Sequence, residues 1–96
     1  MEDPVVTALS DEDMGELCKA LGNPVRVQML RILAQRGPTI CRDMVDALPL
    51  AQSTVSQHLK VLREADLIHG EVDGPRRLYS LNPDRLAQFK GLVATL

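Results

Sequence analysis

Ninety-six residues with a formal net charge of −2, 45% apolar and 25% charged, fit a single small domain of ordinary globular composition. No apolar run approaches the roughly 18–20 residues of a membrane span, and the acidic N-terminus lacks the basic-then-apolar pattern of a signal peptide. A membrane protein is therefore excluded, and the cytoplasm is the expected compartment.

The charge is unevenly placed. Glu2, Asp3, Asp11, Glu12, Asp13 and Glu16 crowd the first sixteen residues, which hold no Lys or Arg. Every basic side chain follows them, so the rest of the chain is net basic. Nucleic-acid binding is weakened by the overall charge but not excluded by its distribution. Tyr79 and Phe89 are the only aromatics, so the core must be Leu, Val, Ile, Met and Ala, which leans towards helices. A chain this short buries only about 60–65% of its unfolded surface, and dimerisation would add to its stability.

Residues 1–9 read as a flexible N-terminal segment and 10–96 as one folded domain. Ser10 can cap a first helix whose opening acids, Asp11, Glu12 and Asp13, suit the positive end of the helix dipole. Met14, Leu17 and Leu21 form its stripe, and Gly22 stops it. Asn23 and Pro24 start a second helix, with Asn as cap and Pro at the first helical position. Val25, Met29, Ile32 and Leu33 give its buried face, and Gly37-Pro38 ends it. Thr39 is expected to cap a short third helix reaching about Leu48.

After the turn Pro49-Leu50-Ala51 comes the most telling helix. Val55, Leu59 and Leu62 recur at i, i+4 and i+7. The opposite side collects Ser53, Ser56, Gln57 and Lys60. Hydroxyls and amides both donate and accept, which suits base edges and phosphates better than the Glu/Lys face of an ordinary solvated helix. Two helices joined by about three residues, the second with such a face, form a helix-turn-helix. Ala51 is an odd residue for the cap position.

The period then changes. Residues 67–72 and 76–81 read as strands around an Asp73-Gly74-Pro75 turn, with Arg76 and Arg77 at the tip. Asn82-Pro83 repeats the cap-plus-proline start of a last helix through Leu86, Phe89, Val93 and Leu96. The fold class is mainly α with a small β-hairpin wing, a winged helix-turn-helix.

In that order, ALGNPVRVQMLRIL, STVSQHLKVLREADLI and RRLYSLNP resemble the ArsR/SmtB family of bacterial repressors over about residues 17–90. The resemblance implies a homodimer joined through the first and last helices. It implies binding to double-stranded DNA carrying an inverted repeat, and release when an inducer binds. It places Gln52, Ser53, Thr54, Ser56 and Gln57 at DNA and Arg76 and Arg77 on backbone or minor groove. Lys60 joins this set from the polar face.

The family's sensing sites match less well. Its thiol box Glu-Leu-Cys-Val-Cys-Asp-Leu, aligned through Asp43, falls on residues 38–44 and meets Ile40 and Arg42 at the two ligand positions. Cys41 lies between them. The last helix holds no His, so the family's zinc pattern there is missing too. Cys18 and Cys41 remain as sensor thiols for a metalloid such as arsenite, a soft metal or an oxidant; the competing reading makes them small core residues. His58 is expected at the border of the apolar stripe and His69 exposed on the hairpin.

No nucleophile, base and orienting group can be assembled, and there is no Gly-rich phosphate loop, so an enzyme is not expected. Three rivals stand beside the ArsR-type repressor. One is a winged-helix protein-interaction module that reads no DNA; another is a repressor with no metal site. The third, a thiol redox or metal carrier, needs Cys18 and Cys41 but not Ser56 or Gln57.

Overall fold

The computed structural model describes residues 9–96, so residues 1–8 of the expected N-terminal segment lie outside the described residues. Leu9, the last of that segment, is half-buried against the core. Five helices and three strands follow. They are α1 (Asp11–Leu21), α2 (Pro24–Arg36), β1 (Thr39–Ile40), α3 (Cys41–Ala47), α4 (Gln52–Glu64), β2 (Ile68–Asp73), β3 (Arg76–Leu81) and α5 (Pro83–Ala94).

Local chemistry sets most of the helix ends. The Ser10 hydroxyl accepts from the Asp13 backbone N–H, and the Asp13 carboxylate accepts from the Ser10 N–H, a reciprocal capping box. The Ser10 backbone N–H and then the Ser10 hydroxyl beside the carboxylate, with the Arg85 guanidinium as a smaller contributor, hold the Asp13 carboxyl below the ordinary Asp value. Asn23 accepts from the N–H groups of Val25 and Arg26, and Asn82 from that of Arg85. Both stand before a proline at the first helical position. The end of α4 carries a signal that composition hides. Asp66 adopts a φ of 62°, its N–H donates to the Arg63 carbonyl, and the Leu67 N–H donates to Leu62. This is a Schellman closure made with Asp in place of the usual Gly.

The core draws on the first four helices and on β2. Leu17, Met29, Leu33, Met44, Val55, Leu59, Leu62, Leu67 and Ile68 are its buried centre. The apolar stripe of α4 lands as its spacing requires, with Val55, Leu59 and Leu62 all at 0% exposure. On α2, Leu30 joins Met29 and Leu33 in the core, while Val25 and Ile32 are only half-buried. In contrast, α5 buries none of its residues fully.

The sheet departs from a plain hairpin. Its order is β1-β3-β2, antiparallel throughout. Thr39 pairs with Tyr79 and Ile40 with Leu78. Thr39 therefore does not cap α3. It is buried in the strand, and its hydroxyl donates back to the Gly37 carbonyl at 2.9 Å. Helix α3 begins at Cys41 with Ile40 at the cap position and no side-chain cap. Two β-branched residues after Pro38 suit an extended segment, and pairing satisfies backbone groups that the outer side of β3 would leave open. In the wing, Gly74 takes a φ of 63° immediately before Pro75, matching a tight two-residue turn. Gly70 serves another end: a Cβ there would stand 2.9 Å from the Arg77 Cδ and 3.2 Å from the Tyr79 Cε1.

Ala51 holds the cap position of α4 with extended backbone and no side-chain bond. Ala51→Ser should raise stability by about 0.5–2 kcal/mol. For a domain of this size that corresponds to several degrees in Tm, read by thermal melts of the two proteins side by side. An unchanged Tm would mean that a serine at position 51 does not cap.

Candidate nucleic-acid interface

Helix α4 presents two opposed stripes. One is the buried set just described. On the other, Ser53, Gln57 and Lys60 are exposed, with Ser56 exposed to one side; Gln52 is exposed at the helix start nearer the apolar border, while Thr54 is half-buried and offers less surface. Among the described residues, the side chains of Gln52, Ser53, Gln57 and Lys60 make no hydrogen bond within the chain. Ser56 has one neighbour: its Oγ lies 3.6 Å from the Cys41 Sγ, within reach of a weak sulfur hydrogen bond. The first helical bond of α4 runs from the Val55 N–H to the Ala51 carbonyl. The N–H groups of Gln52, Ser53 and Thr54 therefore have no partner inside the helix, and without a cap they are free to meet an anion.

The wing flanks this face. Arg76 is ion-paired with Asp73 across the turn at 2.9 Å, both groups being more than half exposed. Such a pair contributes little to stability and can exchange partners. Arg77 is exposed on the same strand, opposite Val72, which is itself 76% exposed.

Arg26 fastens the back of the site. Its guanidinium donates to the carbonyl of Ala20 at 2.6 Å and to that of Lys19 at 3.2 Å, closing the C-terminal end of α1. Its third bond reaches the His58 Nδ1 at 3.1 Å on α4. Arginine can only donate, so this bond requires a neutral imidazole with a lone pair at Nδ1. His58 thus holds the border position expected of it, but its partner lies 32 residues away. The Asn-Pro-x-Arg start of α2 was the available signal: it puts an arginine one turn into a helix that begins beside the end of another.

Desolvation, and then the positive charge of Arg26, hold the His58 pKa below its ordinary value. A depressed folded-state pKa stabilises the protein above the unfolded value of about 6.5, and this contribution is lost as pH falls below it. Urea midpoints should therefore decline from about pH 7 towards about pH 5, with a shallower decline for His58→Gln. Equal declines in the two proteins would assign the effect to other groups.

The cysteines are both free. Cys18 is exposed on α1 and is not a core residue, whereas Cys41, at the first position of α3, is half-buried and packs against the core. Among the described residues no three His, Cys, Asp or Glu side chains come together in a way that could hold a metal. His69 is exposed on β2.

This geometry has known counterparts. The family model described as "Bacterial regulatory protein, arsR family" matches residues 23–69, from the start of α2 into β2. The uncharacterized HTH-type transcriptional regulator MJ1325 of Methanocaldococcus jannaschii is 32% identical over 85 residues, spanning 88% of this chain and 96% of that protein. The chain belongs to the arsR family. The family's members are transcription regulators, and this chain is a DNA-binding transcriptional repressor of the arsR type rather than an enzyme. The HTH-type transcriptional repressor SmtB of Mycobacterium tuberculosis is 41% identical over 75 residues, covering 78% of this chain but 55% of that protein. A crystal structure named as a possible transcriptional regulator for arsenical resistance superposes with a TM-score of 0.77 at 31% identity, over 83% of this chain and 82% of that one. The expected winged helix-turn-helix is thus the family's own fold.

Proposed function

We propose that the chain represses as a homodimer seated on an inverted repeat and leaves the DNA when an inducer binds. The observation that carries this reading is the split of α4, where exposed Ser53, Gln57 and Lys60 lie opposite three fully buried residues. Gln52, Ser53, Thr54, Ser56, Gln57 and Lys60 read or grip the groove, and Arg76 and Arg77 hold backbone beside it. Dimerisation is supported by α5. Leu86, Phe89 and Leu92 are half-buried, and Val93 and Leu96 are 44% and 95% exposed, on a helix that buries nothing fully. That is an apolar face short of a partner. No helix of the described residues is long and apolar enough to cross a membrane, and a protein reading chromosomal DNA works in the cytoplasm.

A gel shift against the region upstream of the chain's own gene, repeated over a range of salt, tests this reading. A shift that weakens steeply with salt is expected. No shift at the lowest salt would remove it.

The inducer reading rests on Cys41. Its sulfur touches the hydroxyl of a DNA-facing serine, so a metalloid such as arsenite, or an oxidant, bonded there would displace Ser56. Cys18 sits on α1 in the expected dimer seam, where thiols of two subunits can share one soft ligand. Relatives named for arsenical resistance fit this chemistry. Cys18→Ser and Cys41→Ser proteins should stay on DNA when arsenite or peroxide is added. Release like that of the parent would eliminate the thiols as sensors.

A further inference from the structure

A cleft of about 360 Å³ separates the start of α3 from the wing. Ile40, Cys41, Arg42, Pro75, Arg76 and Arg77 line it. Three arginines therefore contribute to the lining of one opening. Among the described residues, the only carboxylate paired with any of them is Asp73, on Arg76. Arg42 is exposed and makes no ion pair among the described residues. Its position carries a cysteine in the family's thiol box, so no family role for an arginine is inherited here.

Three arginines against the one carboxylate of Asp73 give the cleft wall a net positive charge, which attracts an anion. The fork of arginine matches two oxygens of a phosphate. Cys41, on the cleft wall, is also the residue in contact with Ser56, so the cleft borders the reading face directly. The first helix of a helix-turn-helix crosses the DNA backbone while the second enters the groove.

We propose that this cleft is a phosphate seat, in which Arg42 of α3 and Arg77 of the wing grip one backbone phosphate of the DNA beside the groove read by α4. Arg76 turns from Asp73 to the same phosphate or its neighbour. The proposal rests on the DNA-binding reading above. It adds Arg42 as a positioning contact that fixes register and leaves base preference untouched.

The test measures DNA affinity against salt for the parent protein, Arg42→Gln, Arg77→Gln and the control Arg31→Gln, on a duplex from upstream of the gene. Arg31 is exposed on α2, outside the cleft. Loss of one phosphate contact per subunit should reduce the slope of log affinity against log salt by about 1.8 in a dimer. This is expected for Arg42→Gln and Arg77→Gln, with an unchanged ranking of mismatched duplexes and unchanged circular dichroism. Arg31→Gln should keep the parent slope. A parent slope in Arg42→Gln overturns the seat while leaving the DNA reading intact. A parent that binds no DNA at low salt overturns both.

A second measurement needs no cleft variant. In Cys18→Ser protein, saturating DNA should slow alkylation of Cys41 by iodoacetamide several-fold, because the phosphate covers the cleft. Equal rates with and without DNA would place the backbone elsewhere.

Discussion

Leu59→Ala should cost about 2–5 kcal/mol of stability, the largest effect expected of any single truncation on α4. Leu59 is fully buried between Val55 and Leu62, on the stripe that seats the reading helix against the core. Removing three carbons there loses their transfer free energy and leaves a cavity that a close-packed interior fills only in part. A small domain has about 5–15 kcal/mol in all, so the variant should melt well below the parent and lose DNA binding in step with its folded fraction. Urea unfolding gives the number directly. Leu59→Met, nearly equal in volume, should lose less than about 1.5 kcal/mol. A loss under about 1 kcal/mol for the alanine variant would contradict the central place given to this residue.

Gln57→Ala should do the reverse. Gln57 is exposed and bonded to nothing within the described residues, so stability should stay within about 0.5 kcal/mol of the parent. DNA affinity should fall by about 1–3 kcal/mol for each half-site, a cost a dimer meets twice. Discrimination should relax at the base pair that Gln57 reads and nowhere else. Fluorescence anisotropy on a set of single-base variants of the bound duplex measures both. A uniform loss across all of them would reassign Gln57 to the backbone, and no loss would take it off the interface. Leu59 and Gln57 are two residues apart on one helix, yet one should change binding only through folding and the other binding without folding.

Much of this was legible in the sequence because it is written locally. Ser10, Asn23 and Asn82 each mark a helix start by a bond spanning two or three residues. The stripe of α4 needs only its own spacing. What stayed hidden depends on distant partners or on signals too short to have a period. β1 is two residues long, and two β-branched residues after a proline are too short a signal to outweigh a threonine helix start until Tyr79 and Leu78 lie beside them. The Arg26–His58 bond joins positions 32 apart. Asp66 closes α4 in a conformation usually left to glycine, so composition gave no warning. The cleft around Arg42 is likewise assembled from two segments more than thirty residues apart, and charge counting along the chain does not reveal it.

The two-residue strand β1 has a consequence for how tightly DNA can be held. Its second residue, Ile40, is the cap of α3 and is also paired with Leu78 of the wing. The wing is thereby tied to the first helix of the reading pair before any DNA arrives. A free hairpin would have to surrender its swinging motion on binding, and that lost entropy would be taken from the affinity. Here most of it is surrendered during folding. Cutting the link, for instance with Ile40→Pro, should weaken the hold of the wing on DNA even where every guanidinium is kept.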